Sequence, residues 1–283
     1  MASSPDHRHQ TETATGALLL GLRYNLPAIL KQQGIKPRPL RRIEPTEALR
    51  AGIAAPYFDI VRAWRAEQAA LLAAYTAALP PRGGQPSADA SSSVKHQVDA
   101  SAVKIAAIAL IAGRLAAPMG HVERWHRTQW IARIKAATGL DVAMFTGAQD
   151  GVATVANAVV RAEQLAAAVN SEIQHKVATT LINSLSARVP AADVGIGGAF
   201  DAAKARAARI AVDQTNRLSA ELDRVRRQAA GLVRFKWLHD NSQKHPRPAH
   251  VARDQRVYSE ATAPNDRAGM LPFCKCYEQP LWD

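Results

Sequence analysis

The sequence predicts an α+β protein: a predominantly helical body with long amphipathic helices, followed by a small β-containing C-terminal unit. Three observations carry this. Of 283 residues, 47% are apolar but only 5% are aromatic, and the apolar share rests on alanine, leucine, valine and isoleucine. Alanine and leucine lose little on entering a helix. Apolar positions then recur every three or four residues over long stretches. Finally, the character changes after Gly231, where short runs rich in β-branched and aromatic residues alternate with turn residues.

Residues 1 to 14 read as a polar tail without the apolar core of an export signal. A short amphipathic helix follows from Ala17 to Gln33. GIKPRPLRR then sets Lys36, Arg38, Arg41 and Arg42 around two prolines, which gives an extended basic strip and a candidate contact for a partner, or a solvated linker. Residues 45 to 79 read as helix, interrupted at Pro56 because a mid-helix proline removes a hydrogen bond. PPRGGQPSADASSS, residues 80 to 93, has linker composition and predicts a boundary. The expected domains are therefore 1–93, 94–230 and 231–283.

Val94 to Ala116 reads as a buried helix, and its apolar run IAAIALIA falls well short of the roughly 20 residues that span a bilayer. No membrane association is expected. After Pro118 and Gly120 the next helix places Val122, Trp130, Ile134 and Ala137 on one face, with Arg124 and Lys135 opposite. From Asp150 to Arg188 a stripe from Val155 to Leu185 predicts about 50 Å of helix at ~1.5 Å per residue. It is one rod, or two joined near Asn170, where Ser171 and Gln174 have the form of a capping box. The next long helix begins near Phe200 and stops at Gly231. Beyond it LVRFKWL, RVYS and FCKCYEQPLW are strand candidates, in a sheet too small to hold itself together without helices behind it, a metal, or both.

Lysine and arginine outnumber aspartate and glutamate by 36 to 24, a balance that attracts polyanions. The most basic regular element is the helix ending at Gly231. Its Arg206, Arg209, Arg217, Arg224 and Arg227 are candidate contacts to nucleic-acid phosphates. The only two cysteines are too few for a disulfide scaffold, so a reducing compartment is expected.

The densest chemistry is HPRPAHVARDQRVY, from His245, followed by CKC at 274 to 276. Cys274 and Cys276 with two of His239, His245 and His250 supply the donor set that zinc takes tetrahedrally. The candidate ligands are His245, His250, Cys274 and Cys276, and the candidate cofactor is zinc. The same residues are also compatible with buried thiols and hydrogen-bonded histidines free of metal, or with a metal-dependent hydrolase or nuclease. No nucleophile elbow, phosphate-binding glycine loop, H-E-x-x-H or paired-carboxylate motif is present. No catalytic residue is assigned, and a non-enzyme is expected.

The order of a basic helix reading RARIAVDQTNRL, a glycine, a strand ending in Trp237, then Asp240, the Arg247–Pro–x–His250 element and CKC resembles the phage Mu F-like minor head proteins. The resemblance covers about 169–282, and its recurrent positions fall on Trp237, Asp240, Arg247, His250, Cys274 and Cys276. The sequence departs from the pattern at Asp213-Gln214-Thr215, where many members carry a Thr-Glu pair, and at Ala268, where proline is common. The resemblance implies a minor head protein of a tailed bacteriophage acting in head morphogenesis. Its implied place is the virion, at the portal vertex or inner capsid, with the host cytoplasm during assembly. Its implied partners are portal or major capsid protein and non-specifically bound double-stranded DNA.

Overall fold

A computed structural model describes residues 24–81, 84, 86–109, 114–242 and 246–282. Among them the fold is mostly helical, with one antiparallel sheet at the C-terminal end. The helices are α1 (Leu26–Gln32), α2 (Glu47–Ala78), α3 (Ala88–Ala109), α4 (Ala116–Thr138), α5 (Val152–Ser186), α6 (Gly197–Ala229) and the short α7 (Pro248–Val251). The strands are β1 (Arg234–Leu238), β2 (Val257–Ser259) and β3 (Tyr277–Pro280). Two compact units divide the chain. One comprises 24–45, 122–155 and 216–282; the other comprises 46–121 and 156–215. This differs from the contiguous domains expected from composition, because α4, α5 and α6 each contribute residues to both units.

The second unit is built by α2, α3, the larger part of α5 and α6 up to Thr215. Asn170, buried within α5, accepts from the Trp64 indole N–H at 2.7 Å and donates to the Ala102 carbonyl at 3.1 Å, so one amide ties three helices. The Tyr57 hydroxyl donates to the Ala162 carbonyl at 3.2 Å. These bonds satisfy polar groups inside an otherwise apolar core, where an unmet one costs about 1–3 kcal/mol.

Three expectations are corrected here, and one alternative left open by the sequence is decided. Helix α2 runs through Pro56 without a break. The lost backbone bond is outweighed by a continuous buried face of Ile53, Tyr57, Ile60, Val61 and Trp64, several residues at roughly 1.5–3 kcal/mol each against about 3 for the proline. The expected linker is helical from Ala88, because Ser87 Oγ accepts from the Ala90 N–H at 3.0 Å and caps the helix. Pro118 and Gly120 lie inside the first turns of α4, where proline displaces no helical bond. Helix α5 is one rod: Asn170 is a buried tie inside it and not a joint.

Among the described residues one helical stretch, Gln149–Ser186, is long and apolar enough by composition to cross a membrane. Within it Arg161, Glu163, Glu172 and Lys176 interrupt the apolar surface, while Ala158 to Leu185 supply the buried stripe of a core helix.

In the first unit, Asn25 caps α1 by accepting from the Ala28 N–H. The Tyr24 and Leu26 N–H groups donate to the Ala229 and Ala230 carbonyls at the end of α6. Leu26, Leu30, Leu40, Trp130, Ile134 and Leu232 form the core there. Helix α6 ends as the glycine predicts: Gly231 has φ +75°, and the Leu232 N–H returns to the Arg227 carbonyl at 2.9 Å. The chain leaves that cap as β1, the central strand of the order β2-β1-β3. Phe235 and Trp237 alternate into a small core with Ala268, Cys274 and Cys276.

Candidate metal centre

The small core beneath β1 holds the cluster. His250 comes from α7, whose first turn begins with Pro248 and is preceded by Arg247. Cys274 and Cys276 lie in the turn before β3, where Phe273 adopts φ +59° and the Cys274 N–H donates to the Leu271 carbonyl. The expected strand geometry is corrected at this point, since β3 begins only at Tyr277 and the turn itself brings both sulfurs to one side. His250 Nδ1 stands 3.4 Å from Cys274 Sγ and 3.6 Å from Cys276 Sγ. The three donor atoms lie within 4.8 Å of one another, and all three residues are buried. They form a group that could hold a metal ion.

The surroundings favour a thiolate. The backbone N–H of Gly269 is directed at Cys274, and that of Asp240 at Cys276. The buried Trp237 indole N–H, which has no oxygen or nitrogen partner, also faces Cys276. Cys274 is brought down, first by the hydrogen bond from the Cys276 thiol and then, against burial, by the backbone donors. Cys276 is pushed up, by holding the proton shared with Cys274 and by burial. One of the two sulfurs is thus favoured as a thiolate while the other keeps the proton between them.

The imidazole has charged neighbours. Asp266 Oδ2 stands 3.4 Å from His250 Nε2, and Asp266 is itself held by Arg253 at 2.7 Å. Asp266 thus places a carboxylate behind the imidazole at a distance longer than an ordinary hydrogen bond. Arg253 also covers the Trp237 ring, at 5.1 Å, and the edge of that ring meets His250.

Every recurrent position of the resemblance gathers here. Trp237 floors the cluster, Asp240 donates its N–H to it, and Arg247 fastens the turn by donating to the Pro272 carbonyl at 2.9 Å. His245, expected as a ligand, lies outside the described residues. His239 is not among the grouped donors; its backbone N–H donates to Asp254. Asp266, Arg253 and Gly269 escaped sequence reasoning. Gly269 carried a signal, since φ is +77° and a Cβ would come within 2.8 Å of Ala220, whereas nothing in spacing marks Asp266.

The expected nucleic-acid arginines scatter. Arg227 is only 1% exposed: it pairs with Glu278 and Glu260 and lies 5.1 Å over the Phe235 ring. That corrects its assignment as a phosphate contact. Its charge is needed to fasten the helix to the sheet, and Arg267 completes the same group from the other side. Arg224 is half-buried against Met270, Arg217 pairs with Glu221 at 3.2 Å, and Arg206 pairs with Glu172. Of the five, Arg209 is classed as exposed.

No family model, curated protein or solved structure matches the chain.

Proposed function

We propose that this chain is a structural minor head protein of a tailed bacteriophage, whose C-terminal unit is fastened by zinc. The observation that supports a structural role is the burial of the cluster: His250, Cys274 and Cys276 are 2%, 4% and 2% exposed, behind Trp237 and the turn at 269–276. A structural zinc takes four protein ligands, of which His250, Cys274 and Cys276 supply three among the described residues. In this reading His250 and the two cysteines would supply three ligands to the ion, with the Asp266 carboxylate standing behind the imidazole. A bound zinc would neutralise the thiolate charge and tie α7 to the turn before β3, support that a sheet this small needs. The placement in a phage head follows the order of Trp237, Asp240, Arg247, His250 and CKC, joined to a basic helical body without a catalytic motif.

Two measurements test the two halves. Elemental analysis of protein purified without chelator is expected to give about one zinc per chain. The Cys274→Ser/Cys276→Ser variant is expected to lose the zinc and the protease resistance of residues 231–282. No zinc uptake, or zinc-dependent phosphodiester cleavage by the wild-type protein, would overturn the structural staple. For the head assignment, mass spectrometry of capsids assembled from the neighbouring genes is expected to find this chain in purified heads. Abundance in the lysate with absence from heads rejects it.

A further inference from the structure

The basic strip that precedes α2 remains unused by the metal centre. We infer that this strip, Arg38 to Arg42, together with the start of β3 and the end of α4, forms the groove through which the protein holds the phosphate backbone of double-stranded DNA. The inference rests on the head-protein reading of the proposed function and on the double-stranded DNA partner that the resemblance implies, and it places the contact at this groove instead of the α6 arginines expected from sequence.

A cavity of about 650 Å³ is lined by Arg38, Arg41, Arg42, Arg133, Tyr277 and Gln279. Its wall is built, since the strip is tied at each polar backbone group that matters. The Arg38 N–H donates to the Ala137 carbonyl at 3.0 Å. The Trp282 indole N–H donates to the Arg38 carbonyl at 2.9 Å, and Gln279 reaches the Leu40 carbonyl at 3.5 Å. Leu40 is buried beneath, while Pro37 and Pro39 deny the segment a helix. The arginines are therefore presented by a fixed backbone, which lowers the entropy lost when they bind.

The charge is free to act outward. Among the described residues Arg38 and Arg41 are exposed and have no carboxylate partner. The acidic groups nearby are already engaged. Asp240 and Glu44 stand at 3.9 and 3.8 Å from Arg42, and Asp223 is held by Arg133 at 3.0 Å. Arg133 Nε is buried without a partner, a further donor at the inner end. Arg42 also lies 5.2 Å over the Tyr277 ring, so its guanidinium is held in place.

Guanidinium forks match phosphate oxygens in pairs. Arg38 and Arg41 are three residues apart, on the order of 9–10 Å along an extended chain, which suits a polyanion whose charges recur along a line. A membrane surface is a poorer match. Surface-binding segments bring large apolar side chains to their rim, and here Leu40 is buried, Tyr277 is engaged by Arg42, and the half-buried Trp282 packs against the core with its N–H committed to the Arg38 carbonyl.

The test measures binding of a fluorescent 20-base-pair duplex by anisotropy across a salt series, on the full chain. For Arg38→Gln/Arg41→Gln, affinity at low salt is expected to fall by about tenfold or more, and the slope of log K against log salt to flatten by about 2. Circular dichroism and zinc content should be unchanged. Lys204→Gln/Arg209→Gln, on the exposed face of α6, should leave both quantities near wild type. Wild-type binding that the Arg38/Arg41 variant retains would overturn the groove alone. Failure of the wild-type protein to bind duplex at low salt would remove both the groove and the DNA partner. Stronger binding to phosphatidylserine vesicles than to DNA would replace the partner with a membrane.

Discussion

Arg227 shows how a charge can belong to the interior. Its guanidinium lies between Glu278, Glu260 and the Phe235 face, and removing one member of such a buried group leaves the others uncompensated. Arg227→Met is expected to destabilise the protein by about 3 kcal/mol or more, read from the urea midpoint, while DNA affinity of the folded variant stays within about twofold. A loss of affinity without loss of stability would return Arg227 to the surface role its sequence suggested. At this scale the sequence was legible where chemistry is distinctive: two cysteines and a histidine are rare enough to single out, and they do converge. It was illegible where charge is ordinary. Nothing local distinguishes Arg227, which is sealed under a sheet, from Arg209, which faces solvent, because the difference is made by residues some fifty positions away in the chain.

At the level of elements, the three- and four-residue periodicity gave the long helices, and Gly231 gave the end of α6. Ends governed by single side chains were harder to read: Ser87 starts a helix inside linker-like composition, and buried side chains carry α2 across Pro56. The two positive-φ glycines that frame the C-terminal unit separate conformational cost from steric cost. Gly231→Ala must place a Cβ in the left-handed region and should cost about 1–2 kcal/mol. Gly269→Ala meets the same penalty and also a contact with Ala220 at 2.8 Å, so it should lower the melting temperature further. Equal melting temperatures for the two variants would show that the turn at 269 gives way.

For the whole molecule, the carboxylates of the first unit set an acid limit. Glu260 is pulled below its ordinary value: burial would raise it, but the hydrogen bond from Arg267 and the charges of Arg227 and Arg267 prevail. A carboxylate lowered in this way contributes stability that is complete above the ordinary pKa of 4.5 and is withdrawn as pH falls through the folded value. The net charge of +12 at neutral pH grows over the same range. The urea midpoint should therefore drop below about pH 4.5, and Glu260→Gln should be less stable at pH 7 and show a smaller drop. A midpoint indifferent to acid would mean that this network contributes nothing to the fold.

The first unit is assembled from three separate stretches of chain, which has a consequence for how the gene can be cut. The His250, Cys274 and Cys276 group lies wholly within the last seventy residues, yet Ala230 and Leu232, which lead into β1, find their apolar neighbours in Leu26, Leu30 and Trp130, far upstream. A truncated gene encoding the tail alone would yield a polypeptide with ligands intact and a bare greasy flank. Recombination that swaps tails between relatives must therefore preserve compatibility with the distant opening segment, or the exchanged piece has nowhere to rest.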